Sequence, residues 1–98
     1  MATGERIAVE RVQTGVRVEK RLIKVLKALA EYHDMPLGDL LEGIVLHAFE
    51  GKSPFDRASL DRIRELKRFY GLDLGLAASH RLTEVKPSQR QARRSARR

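Results

Sequence analysis

The chain has no cysteine among its 98 residues. Disulfides and thiolate metal sites are therefore excluded, and the absence fits a reducing compartment. No apolar run approaches the roughly 20 residues of a membrane span. The start, MATGERIAVERV, lacks the basic end and long apolar stretch of a secretory signal. There is no repeat of solenoid length. There is no Gly-rich phosphate loop and no nucleophile-and-base set, and His33, His47 and His80 lack the spacing of a helical metal pair. No catalytic residue, metal or cofactor is expected, which leaves an enzyme as the remotest class. The expectation is a soluble, cytoplasmic protein that makes no membrane contact.

What is present is charge and pattern. The formal net charge is +7. From Ala77 to Arg98 there are seven Lys or Arg and one Glu, whereas the preceding 76 residues hold 13 basic and 12 acidic side chains. The basic excess therefore sits in the tail, KPSQRQARRSARR, which attracts polyanions without regard to sequence. The tail has almost no apolar residues, which argues against a membrane-surface role. With its Ser, Gln, Pro and Arg, residues 77–98 are expected to be disordered.

The apolar pattern divides the rest. Residues 1–10 carry no stripe and read as a flexible arm. From Arg11 the sequence alternates. Val12, Thr14, Val16 and Val18 fall on one face, and Arg11, Gln13, Gly15 and Arg17 on the other. Period two with β-branched residues predicts a half-buried strand. A hairpin pairing IAVERV with VRV is the second reading of the same residues. From Lys20 the period becomes helical, with Leu22, Val25, Leu26, Leu29 and His33 in one stripe. Pro36 forces a break near Asp34 and suits the first turn of a second helix. Leu37, Leu40, Leu41, Ile44, Val45 and Ala48 form its stripe, and Leu46 and Phe49 widen it. A helix this apolar belongs in a core, and one copy of the chain is too small to cover it. Gly51 is the expected stop. A third helix is expected from SPFD, with Ser53 as N-cap, Pro54 in the first position and Asp56 three residues after the cap. Leu60, Ile63, Leu66 and Tyr70 form its stripe, and Gly71 ends it. The apolar residues between Leu60 and Leu76 predict docking on the dimer core or, as the sharper use, contact with a partner protein at residues 60–76.

Residues 11–51 resemble the ribbon-helix-helix family of bacterial, archaeal and phage repressors, the MetJ and Arc type. The resemblance rests on VRV beside a helix start, LIKVLKALAEYH, the MP break and LGDLLEGIVLHAF. It implies a mainly α fold in which one short N-terminal strand pairs across an intertwined homodimer, followed here by a C-terminal helix at 53–76 and the basic tail. It implies a transcriptional regulator, a repressor, that inserts a two-stranded ribbon into the major groove of double-stranded DNA. Alternate strand positions then read bases, here Gln13, Gly15 and Arg17; Arg suits guanine and Gln suits adenine. The start of the second helix, Leu37 and Gly38, would hold a phosphate at its free amides. Lys20 and the tail residues Arg93 and Arg94 would add phosphate contacts. The dimer core would comprise Val16, Val18, Leu22, Leu26, Leu29, Leu40, Leu41, Ile44, Val45 and Ala48, in a homodimer or higher even oligomer. Gly38 stands where Ser or Thr is usual, Asp39 brings a negative charge beside it, Glu19 is an uncommon N-cap and Gly15 an uncommon base reader. The alternative function is an antitoxin of a toxin–antitoxin pair, or another dimeric adaptor, that uses the C-terminal extension.

Overall fold

The computed structural model describes residues 5–85. Three helices follow one another, α1 (Lys20–Tyr32), α2 (Leu37–Phe49) and α3 (Arg57–Tyr70), and a single 3-10 turn, Leu76–Ala78, comes after them. α1 is the central element, and both α2 and α3 pack against it.

Local chemistry sets each boundary. Glu19 caps α1 after all, because its Oε1 accepts the Leu22 N–H at 2.9 Å. Pro36 occupies the N-cap of α2 with no side-chain cap bond. All three helices end alike, each on a left-handed residue: Asp34 (φ 55), Gly51 (φ 71) and Gly71 (φ 68). The amide one residue further on then reaches back five residues, from Met35 to Ala30 O, Lys52 to His47 O and Leu72 to Lys67 O. This closes the open carbonyls of the last turn. Aspartate tolerates the left-handed region better than most side chains, so Asp34 serves where glycine serves the other two.

The core is small. Among the described residues, the buried apolar side chains are Val25, Leu29, Ala30 and Leu40. Leu26, Leu37, Ile44, Phe55, Ile63 and Leu66 pack around Leu29, Ala30 and Leu40. The stripe on α3 thus docks on α1 of the same chain.

Two expectations are corrected. No strand occurs among the described residues, so the strand of the ribbon-helix-helix fold is absent, as is the IAVERV–VRV hairpin; the chain is a mainly α, three-helix fold. Alternation reports which side chains share a face, but a strand also needs a ladder of hydrogen bonds to a neighbour. Residues 5–19 have none, and Val12 and Val16, assigned to a buried face, are 85% and 77% exposed. The second correction is the start of α3. Asp56, not Ser53, is its N-cap, and the Asp56 carboxylate accepts the Ser59 N–H at 2.8 Å. Ser53 instead accepts the Phe55 N–H within the preceding turn. The Asp56 bond, charge-assisted at 2.8 Å, is the stronger of the two, against 3.4 Å for the Ser53 bond, and a carboxylate also suits the positive end of a helix.

Candidate nucleic-acid interface

The segment before α1 carries the three residues assigned to base contacts. Gln13, Gly15 and Arg17 are all exposed. A side chain at Gly15 would meet nothing within 4 Å, so the backbone there stands open to solvent. Two arginines moor the segment. Arg11 donates to Glu42 through Nε (2.8 Å) and Nη2 (2.7 Å), and through Nη2 to Asp39 at 3.3 Å. Its guanidinium holds the Glu42 carboxyl below the ordinary range, hydrogen bonding being the leading cause. Arg17 makes a two-point pair with Glu84, Nε to Oε1 at 2.8 Å and Nη2 to Oε2.

α1 continues the positive surface. Lys20, Lys24 and Lys27 are exposed and recur at spacings of four and three, so they share one side of the helix. Among the described residues none of the three enters an ion pair, although Lys24 Nζ lies 5.9 Å from the Tyr70 ring centroid. At about 1.5 Å per residue the row is about 10 Å long, close to three base-pair steps of about 3.4 Å. Arg21 is committed elsewhere: it pairs with Glu19 and Asp73 at 3.0 Å and donates to the Gly71 carbonyl at 2.9 Å. It thereby ties the start of α1 to the end of α3. Burial pushes the Glu19 carboxyl up, but the Leu22 N–H and Arg21 pull it below its ordinary range.

At the start of α2, Gly38 is exposed and Leu37 is half-buried against the core. The cap leaves the first amides without a side-chain acceptor, as a phosphate contact needs. Asp39 puts a negative charge on the same turn, and Arg11 offsets it. Arg93 and Arg94 lie outside the described residues.

The set of residues assigned to a dimer core divides in two. Leu29 and Leu40 are already buried within the chain, and Leu22, Leu26 and Ile44 are half-buried. Val16, Val18, Leu41, Val45 and Ala48 are exposed, together with Leu46 and Phe49 (80%). Ile7 and Val9 border the same α2 surface, lining one cavity with Leu41, Val45 and Leu46. Leu41, Val45 and Leu46, with Ile7 and Val9 beside them, thus form an apolar face left exposed among the described residues.

Sequence reasoning missed Glu84 as the partner of Arg17. Of the lysine row it gave only Lys20 a role. The spacing of Lys20, Lys24 and Lys27 was the available signal. Residues 77–85, expected as the start of the tail, contain most of the 3-10 turn, an Arg81–Ala77 bond and the Glu84 pair. Among the described residues, no cluster of three or more His, Asp or Glu is arranged to hold a metal ion. No helix there is long and apolar enough to cross a membrane. Comparison of the chain with protein-family models, with curated proteins and with solved structures finds no match in any of the three.

Proposed function

We propose that the protein is a sequence-specific DNA-binding regulator of transcription, acting as a repressor and as a homodimer in the cytoplasm. The observation that carries the proposal is the row Lys20, Lys24 and Lys27, exposed and outside any ion pair among the described residues, next to a segment that exposes Gln13 and Arg17. Lysines of this kind release counterions on meeting phosphates and supply affinity. Gln13 and Arg17 supply groups that discriminate bases. Leu37 and Gly38 at the start of α2, and Arg93 and Arg94 in the tail, are further phosphate contacts in this reading.

The exposed face of Leu41, Val45, Leu46 and Phe49 supports the homodimer. A patch of this kind on a small chain marks an interaction site. A second copy offers an identical patch and would double the cationic surface presented to DNA. The same face supports a second reading, an adaptor or antitoxin that docks a different protein there. Residues 60–76 support it less, because Ile63 and Leu66 are used within the chain, although Phe69 (78%) and Leu76 (92%) stay exposed.

A gel-shift titration of the full chain against specific and random duplexes tests the proposal. Arg17→Ala should cost about 1–3 kcal/mol on the preferred duplex and relax the preference. A variant that binds both duplexes as the wild type does would remove Arg17 from the interface.

A further inference from the structure

The pair between Arg17 and Glu84 joins two stretches without regular secondary structure that lie 67 residues apart. We propose that residues 82–85 are a displaceable cover on the DNA-facing surface, with the Glu84 carboxylate occupying the guanidinium until DNA takes its place. The inference rests on the DNA-binding reading above and assigns a regulation to the same site.

Geometry comes first. Glu84 engages Arg17 at both Nε and Nη2, the fork that an arginine offers to guanine O6 and N7 or to two phosphate oxygens. While the carboxylate holds that fork, Arg17 cannot present it to a base. The carboxylate keeps the guanidinium more firmly charged, the hydrogen bond contributing most.

The hold is weak enough to exchange. The two side chains are 79% and 51% exposed, so water and salt screen their attraction. Behind the pair the cover is not packed tight. Residues 16–21 and 82–85, with Leu74, border an open groove of about 890 Å³, and Leu82 is half-exposed. Lys20 lines the same groove, so whatever displaces Glu84 meets Lys20 beside Arg17, while Arg21 and Glu19 on the same lining stay paired with each other. A carboxylate carries one charge, whereas a duplex carries a charge for about every 1.7 Å of axis and gains counterion entropy on binding.

The sequence around Glu84 fits the role. It is the single acid between Ala77 and Arg98, and Lys86 follows two residues later as the basic run begins. Glu84 is therefore the one charge of that stretch that opposes DNA.

The test is a double-mutant cycle on the full chain, read by fluorescence anisotropy with a random-sequence duplex at fixed low salt. Glu84→Gln and Arg17→Ala are made singly and together. Glu84→Gln removes one negative charge and raises affinity in either background. The cover predicts an additional gain of about 3–5-fold with Arg17 present, and none with Arg17→Ala. Equal gains in both backgrounds would overturn the cover while leaving DNA binding intact. If neither wild type nor Glu84→Gln binds any duplex, the DNA-binding reading falls and the cover falls with it.

Discussion

Ser59 Oγ lies 3.1 Å from His33 Nε2, joining the first turn of α3 to the C-cap of α1. Ser59 is only 4% exposed and is the buried polar residue of the described chain. Its backbone N–H is meanwhile taken by Asp56. One residue thus closes the α3 cap and fixes where α3 meets α1. Ser59→Ala keeps the cap but leaves the half-buried imidazole nitrogen without this partner. The expected cost is about 1–2 kcal/mol in chemical denaturation, with helix content unchanged. His33→Ala should cost a similar amount, and the double variant less than the sum of the two singles.

Acid should loosen the caps. The Asp56 carboxyl is held below its ordinary range, first by the Ser59 N–H and then by the Ser59 hydroxyl. Glu19 is lowered too. Folding therefore favours the charged forms. Their contribution is complete above the unfolded carboxylate range, about pH 4, and fades as pH falls through the depressed folded values. Asp56→Asn retains an oxygen for the cap but does not titrate. Thermal melts between pH 6 and pH 2 should show a shallower acid loss for Asp56→Asn than for wild type.

The apolar face of α2 gives a prediction about assembly. Phe49 is 80% exposed and Val45 43% exposed, so a charge at either position fits the single chain without disturbing its core. Phe49→Lys or Val45→Asp should leave helix content intact and shift the mass by sedimentation from two copies to one. Leu29→Ala is the contrasting case. Leu29 is 1% exposed inside the chain. Its truncation should cost about 2–5 kcal/mol and unfold the protein rather than merely separate copies.

The lysine row gives a prediction about salt. Each phosphate contact adds about 0.9 to the slope of log affinity against log salt. Lys24→Ala with Lys27→Ala should flatten that slope by about 1.8 in a binding titration, for preferred and random duplexes alike. An unchanged slope would place the DNA on another side of α1.

The helices were legible because helical spacing, proline and glycine act within a few residues. Leu22, Val25, Leu26 and Leu29 marked α1, Pro36 marked the break, and Gly51 and Gly71 marked two of the three ends. The segment before α1 was misread as a strand, since alternation of Val12, Val16 and Val18 carries no information about a pairing partner. The cap of α3 was misplaced by three residues because serine and aspartate both accept amides and only the folded turn chooses between them. Arg11–Glu42 and Arg17–Glu84 were out of reach, because 31 and 67 residues separate the partners and charges of either sign are common throughout. Leu29 and Leu40 were assigned to a core shared between copies. Nothing in a stripe says whether α3 of the same chain or a second chain will cover it.

The most direct measurement of the central claim is selection of bound duplexes from a random DNA pool by the full chain. A homodimeric base-reading regulator predicts enrichment of one motif with two-fold symmetric half-sites at a fixed spacing, lost with Arg17→Ala. A pool that stays unenriched after repeated rounds would contradict it.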